Sequence, residues 1–168
     1  MKQTNRFKVV GYGSLISHES LKETVRNKKF TPVIVKGYKR IFNLIDGKKD
    51  VLNIVKDKDS KFNGVLFSVD ESELKKLIKR ELEYSMEKVE VYNFKTNKKI
   101  GKAFTFIDYF LDIDDGKITP NKSYFLLCRE AAYHISNDFG EMWDKTTFTS
   151  DGKQITEYEN KINLKIRV

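Results

Sequence analysis

A chain of 168 residues that is 39% hydrophobic can enclose one core and divides poorly into two, so a single domain over residues 1–168 is expected. Cys128 is the only cysteine, which excludes a disulfide framework within the chain and a cysteine zinc site, and fits a reducing compartment with the thiol buried. The formal net charge of +8 raises nucleic acid as a partner, but the basic residues are spread among 24 acids and cluster only at Asn27-Lys28-Lys29 and Lys98-Lys99, so a solvated lysine-rich surface is expected and no specific nucleic-acid binding.

The N-terminal Met1-Lys2-Gln3-Thr4-Asn5-Arg6 leads into a short apolar strand with no signal-peptide pattern, and no later run approaches membrane-spanning length. The expectation is a cytoplasmic protein with no membrane partner; the sequence leaves its oligomeric state open.

Phe7 to Val10 form the first expected strand, and it runs into Gly11-Tyr12-Gly13-Ser14-Leu15-Ile16. Glycines bracketing an aromatic let the backbone approach a ligand and aim successive N–H groups one way, although a strand ending in Gly-x-Gly is also an ordinary tight turn. A short helix is expected over residues 18–25. From Pro32 four strands follow, Val33–Val35, Arg40–Ile45, Val51–Val55 and Gly64–Val69, separated by Gly37, Asp46-Gly47, Lys56–Ser60 and Asn63-Gly64, the turn chemistry of antiparallel neighbours in a closed or nearly closed sheet.

Asp70 with Glu73 three residues on predicts a capped helix start, and Leu74, Leu77 and Ile78 its core face. At about 100° per residue, Glu81 returns to within about 20° of Leu74, whereas Glu83 points to the other side. An acid occupies a position suited to leucine. Two further strands, Lys88–Tyr92 and Ile100–Tyr109, are expected to pair across the turn at Thr96–Lys99. After a turn at Asp114-Asp115-Gly116, Pro120 precedes a helix with an expected inward set of Tyr124, Leu127, Cys128, Ala131, Ile135 and Phe139. A tail through Trp143, Thr146-Thr147-Phe148 and Asp151-Gly152 leads to a terminal alternating strand, Ile162 to Val168.

Glu81 carries the sharpest chemistry: a carboxyl on an apolar face is desolvated, its neutral form is favoured, and its pKa moves toward the range useful for proton transfer. The structural alternatives are an ion pair with Arg40 or a lysine, or a helix that ends before residue 81 and exposes the side chain. His18 and His134, the only histidines, make neither a metal cluster nor a Cys/His dyad. Ser14 lacks the Gly-x-Ser-x-Gly setting of a nucleophile elbow, since position 16 is Ile; Gly11-Tyr12-Gly13 lacks the third glycine of a dinucleotide fingerprint. The aromatic residues suit the core, with Tyr12, Tyr84 and Tyr124 able to present hydroxyls to a pocket.

Taken together the chain resembles the gamma-glutamylcyclotransferase-like superfamily, which includes AIG2-like proteins, over nearly its whole length. The resemblance rests on Val10-Gly11-Tyr12-Gly13-Ser14-Leu15-Ile16, similar to the FGYGSL-type loop; on Gly37-Tyr38-Lys39-Arg40-Ile41-Phe42-Asn43; and on Asn63–Phe67 through to Arg80-Glu81-Leu82-Glu83-Tyr84, similar to an Arg-Glu-x-x-Tyr motif. Tyr124, Cys128, Ala131, Ala132, Thr146-Thr147 and Asp151-Gly152 resemble its closing helix and tail. Ser85-Met86-Glu87 and Lys88 depart from the Arg-Val-x-Val strand of relatives, which leaves Glu83 as the alternative to Glu81.

What the resemblance implies is an α+β fold, a mixed, mostly antiparallel β-barrel with flanking helices, and an enzyme that cyclises a gamma-glutamyl compound to 5-oxoproline with release of the attached amine, amino acid or peptide. It implies no cofactor and no metal. Glu81 would be the catalytic acid/base, and Tyr12, Gly13, Ser14, Leu15, Tyr84 and Tyr124 would bind substrate, the N–H groups of Gly13, Ser14 and Leu15 facing its polar end or the oxyanion. A non-catalytic module that captures a small acidic metabolite on the same scaffold is the alternative. The leaving-group side is expected from the loops Asp46–Asp50 and Asp57–Phe62.

Overall fold

A computed structural model describes residues 4–46, 49–81, 84–109 and 119–158. Its largest feature is an antiparallel hairpin of two long strands, β2 (Thr31–Asp46) and β3 (Lys49–Asp70). The first strand, β1 (Arg6–Gly11), runs antiparallel to β3 from Arg6↔Asp70 to Gly11↔Val65. It also meets β5 (Lys99–Ile107) in parallel at Val9↔Phe104. β4 (Ser85–Asn93) pairs antiparallel with β5 and with β2 at Val33–Val35, so the order β3-β1-β5-β4-β2 returns to β3 through the hairpin. A short β6 (Thr147–Thr149) lies parallel to β2 at Arg40–Phe42. Mixed pairing, mostly antiparallel, with helices at the flanks is the α+β architecture expected. No helix among the described residues is long and apolar enough to cross a membrane.

The four strands expected between Pro32 and Val69 are two, because Gly37, Lys56–Ser60 and Asn63-Gly64 are absorbed into the ladder; of the expected breaks only Asp46-Gly47 falls at the junction of β2 and β3, Gly47 itself lying outside the described residues. Gly37 (φ 86°) and Lys56–Ser60 face each other as one irregularity, where pairing jumps from Lys36↔Lys61 to Tyr38↔Lys56. Asn63 and Gly64 continue the strand. The Asn63 Nδ2 donates to the Phe139 carbonyl at 2.8 Å and its Oδ1 accepts from Arg40 at 2.7 Å, which satisfies a fully buried amide. Gly64 is required by a close approach: a Cβ there would lie 2.5 Å from the Gly11 carbonyl oxygen.

The helix α2 (Glu71–Arg80) begins with the expected capping box, Asp70 accepting from the Glu73 N–H and Glu73 from the Asp70 N–H. Burial alone would raise the Glu73 carboxyl, but hydrogen bonds from Lys28 and the Asp70 N–H outweigh it and hold the pKa at about 2. The core face of α2 is Leu74 and Leu77; Ile78, expected inward, is 41% exposed. The expected helix at 18–25 is a single turn, α1 (His18–Leu21).

The expected helix from Pro120 is two helices, α3 (Lys122–Ile135) and α4 (Asn137–Lys145), with Ser136 capping the second by accepting from the Phe139 N–H. The inward residues of α3 are Phe125, Cys128 and Ala132, while Leu127 is exposed. A single helical period from 124 to 139 merges what are two helix axes. Phe139 and Trp143 are core residues of α4. The turn at Asp114–Gly116, the terminal strand from Ile162 and Glu83 lie outside the described residues.

Candidate active site

The strand β1 ends against the β2–β3 hairpin, and the chain turns through Gly13 into one turn of 3₁₀ helix, Ser14–Ile16. An added Cβ on Gly11 would sit 2.7 Å from the Leu15 Cβ, so glycine is needed for the turn to fold back on the strand. Ile16 and Ser17 donate their N–H groups to the carbonyls of Gly13 and Ser14 at 3.1 Å. The N–H groups of Gly13, Ser14 and Leu15 stand before these, at the start of the turn, where the turn itself supplies no acceptor.

Glu81 reaches this loop from the other side. The α2 helix stops at Arg80, and Glu81 is its C-cap (φ −97°, ψ 43°), the Tyr84 N–H folding back onto its carbonyl at 2.9 Å. The helix therefore ends before residue 81, yet the side chain remains only 16% exposed. Arg40, considered as its ion-pair partner, is occupied elsewhere; Arg80 Nε lies 3.6 Å from Glu81 Oε1. Burial raises the Glu81 pKa above the ordinary carboxylate range and the Arg80 charge lowers it, burial being the larger effect.

Tyr12, Gly13, Ser14, Leu15, Glu81, Tyr84 and Tyr124 line one narrow pocket of about 30 Å³, together with Leu52 and Phe106. All seven sequence-selected residues thus meet in space. The tyrosines differ in what their hydroxyls do. Tyr12 donates to the Phe106 carbonyl at 2.7 Å and Tyr84 to the Leu52 carbonyl at 2.9 Å, so both tie the loop and the turn to strands. The Tyr124 hydroxyl would lie 2.7 Å from a Cβ on Gly13, which places it directly over the loop backbone. Burial pushes the phenols of Tyr12 and Tyr124 well above the ordinary tyrosine range, so both stay protonated through neutral pH.

Sequence reasoning missed four contributors. Leu52 and Phe106 wall the pocket, and nothing in their local pattern marks them. Arg40 is fully buried and braces the loop from inside: Nη1 donates to the Tyr12 carbonyl at 3.4 Å and to the Asn63 carbonyl at 2.5 Å, and Nε to Thr147 Oγ1 at 2.8 Å. Arg80 braces it from outside, donating to Ser14 Oγ at 3.3 Å and Ser20 Oγ at 2.6 Å. A signal for Arg40 existed in its place within an apolar strand, where a buried cation needs a set of acceptors.

His18 stacks on Phe30 with ring centroids 3.8 Å apart, and the exposed His134 lines with it a separate groove between residues 16–19 and α3. No group of three or more His, Cys, Asp or Glu side chains that could hold a metal occurs among the described residues.

A family model described as ChaC-like protein matches residues 7–140. The chain belongs to that family. Among solved structures, a gamma-glutamyl cyclotransferase superposes with a TM-score of 0.72 at 16% identity, covering 95% of this chain and 99% of that one. An uncharacterized protein from Homo sapiens gives 0.70 at 19% identity, with 94% and 98% covered. YkqA from Bacillus subtilis gives 0.65 at 20% identity over 83% of this chain, which spans about half (53%) of that protein. No curated protein matches the chain. At these identities the likeness to solved structures is one of fold, and the fold of this ChaC-like family member is that of the gamma-glutamylcyclotransferase-like superfamily.

Proposed function

We propose that the protein cyclises a gamma-glutamyl compound to 5-oxoproline and releases the attached amine, amino acid or peptide, with Glu81 as general base and then general acid. The observation that carries this reading is the placement of a desolvated carboxyl, Glu81, across a pocket from the backbone of Gly13–Leu15.

In this scheme the substrate's α-ammonium gives a proton to the Glu81 carboxylate, and the freed amine attacks its own γ-carbonyl carbon. A C–N bond forms, closing a five-membered ring, and the carbonyl becomes a tetrahedral oxyanion. N–H groups of Gly13, Ser14 and Leu15 receive that charge; one such donor contributes about 3–4 kcal/mol in comparable sites. Collapse breaks the bond to the leaving nitrogen, which takes the first proton back from Glu81; the ring nitrogen, still carrying two hydrogens and a positive charge after attack, then passes its extra proton by way of Glu81 to the released amine, which departs as an ammonium. No water is consumed, and both protons are returned within one cycle. A raised carboxyl pKa suits both halves, since it strengthens the base and leaves the acid able to donate near neutral pH. Tyr12, Tyr84 and Tyr124 hold the folded conformer in which the two reacting ends of the substrate meet, supplying the proximity contribution.

A panel of gamma-glutamyl amines, amino acids and peptides assayed for 5-oxoproline tests this. The expected result is stoichiometric 5-oxoproline and free amine from at least one class. Saturable binding of these compounds with no amine released from any of them would contradict it and leave a non-catalytic binding module.

A further inference from the structure

Arg80 makes more contacts at the site than an exposed helix-end arginine needs. Its Nη1 donates to the Ser20 carbonyl at 2.8 Å and to Thr24 Oγ1 at 3.1 Å, and its Nη2 to Ser20 Oγ at 2.6 Å and Ser14 Oγ at 3.3 Å. Its Nε faces Glu81 Oε1 at 3.6 Å. One planar group therefore touches the C-terminal residue of the α2 cap, the first residue of the 3₁₀ turn and the α1 segment. A guanidinium suits this because its donors are fixed in one plane, so satisfying those on Ser20 and Thr24 sets the direction of Nε.

From this geometry we infer that Arg80 is a positioning residue, which sets the Glu81 carboxyl in register with the Gly13–Leu15 backbone by bridging Glu81 to Ser14, Ser20 and Thr24. The inference rests on the proposed role of Glu81. It adds a device: the acid/base and the oxyanion donors come from elements far apart in sequence, and Arg80 ties their spacing together. Without it, the Glu81 carboxyl would lose its contact at 3.6 Å with a cation, and the loop serine would lose its tie to α2.

The electrostatic consequence is separable from a purely structural one. Around Glu81 stand the phenols of Tyr12 on the loop after β1, Tyr84 on its own turn and Tyr124 on α3. The phenols of Tyr12 and Tyr124 couple to its charge and lie well above the ordinary tyrosine range. Arg80 is the cation acting on Glu81, and it favours the carboxylate. Removing that charge must move the Glu81 titration to higher pH, in the same direction as its burial does.

The test compares the wild-type chain with Arg80→Gln, following the ¹³C resonance of the Glu81 carboxyl against pH and 5-oxoproline release from a substrate found in the panel. The expected result is a Glu81 midpoint displaced upward and kcat lowered on the order of 10- to 100-fold with KM within about twofold, as a misplaced catalytic group gives. An unmoved Glu81 midpoint overturns the inference, whether or not activity falls, because a general loss of packing would lower activity without that shift. Should Arg80→Gln fail to fold, Ser20→Ala removes the acceptor at 2.6 Å while keeping the charge in the chain. It is expected to move the midpoint the same way by a smaller amount, and an unchanged midpoint overturns the inference equally. The carboxyl titration needs no substrate. Absence of 5-oxoproline from every compound would therefore count against the proposed reaction and leave the positioning result to stand or fall alone.

Discussion

Two arginines grip the same loop, one fully buried and one partly exposed, and they are built for different work. Arg40 is fully buried, and its donors meet neutral oxygens: the carbonyls of Tyr12, Asn63 and Trp143, the Asn63 amide and the hydroxyls of Thr146 and Thr147. Burial lowers its pKa to about 9, which still leaves it charged at neutral pH. Arg80 is partly exposed and abuts a titratable group, Glu81. The first arrangement fixes where the loop is. The second couples the loop to a carboxyl that can change its protonation, and a site needs both a fixed frame and one group free to move a proton.

If this division holds, damage on the Arg40 side appears in stability and damage on the Glu81 side in chemistry. The largest stability effect is expected from Arg40→Met. It relieves a buried charge but takes the Arg40 donor from the Asn63 carbonyl and leaves the Asn63 amide oxygen with only the longer bond from Thr146 and the Thr147 hydroxyl with only its bond to Trp143, a net loss of about 3 kcal/mol measured by urea unfolding. A loss below about 0.5 kcal/mol would show that the network is not holding the frame.

Next comes Gly64→Ala, whose Cβ would press on the Gly11 carbonyl at 2.5 Å. Relief requires β1 and β3 to separate just before the loop, with an expected cost of about 1–3 kcal/mol. Because that backbone leads into Gly13–Leu15, turnover should fall more than the stability change explains. Equal stability with unchanged turnover would show that the strand end does not set the loop.

The smallest effect is expected from Tyr84→Phe, which deletes the 2.9 Å hydrogen bond to the Leu52 carbonyl. Stability should fall by about 1 kcal/mol. The mark of this variant is in KM, because Leu52 forms a wall of the pocket, and a larger fall in kcat than rise in KM would assign the Tyr84 hydroxyl a role in the chemistry itself.

The capped start of α2 and the loop at Gly11–Ile16 were legible because each signal is local: an Asp and a Glu three residues apart, and glycines flanking an aromatic. Glu81 was found by extending a helical face one residue past the point where the helix stops. The helix stops short of it, but the C-cap keeps the side chain in the pocket that Tyr12, Tyr84 and Tyr124 also line, only 16% exposed. Ile78, on the same inferred face, is exposed, so the face is narrower than its periodicity suggested.

The long hairpin was less legible. Asn63-Gly64 reads as a turn until its partners are known, and those partners are Arg40, Phe139 and the Gly11 carbonyl, none of them local. Arg40 stands in the motif at residues 37–43, and the sequence offers it only as a partner for Glu81. Its real acceptors come from β3, α4 and β6, a convergence set by the pairing of β2 with β3 and β6. Arg80 was legible as a motif residue and silent as to role, since Ser14, Ser20 and Thr24 lie in a different part of the chain.

The most direct test of the central claim is 5-oxoproline release by the wild-type chain and by Glu81→Gln, measured across pH on the best substrate of the panel. For the wild type, kcat/KM should climb with pH along a limb displaced above the ordinary carboxylate range, because Glu81 must be ionised to accept the first proton and burial raises its pKa. Glu81→Gln should lose on the order of 10²- to 10⁴-fold in kcat and lose that limb, while its cooperative unfolding stays intact. It should be at least as stable as wild type at neutral pH: a carboxyl whose pKa is raised in the folded state disfavours folding once ionised, and that penalty vanishes as pH falls toward the unfolded value. A folded Glu81→Gln that releases 5-oxoproline at the wild-type rate would contradict the account.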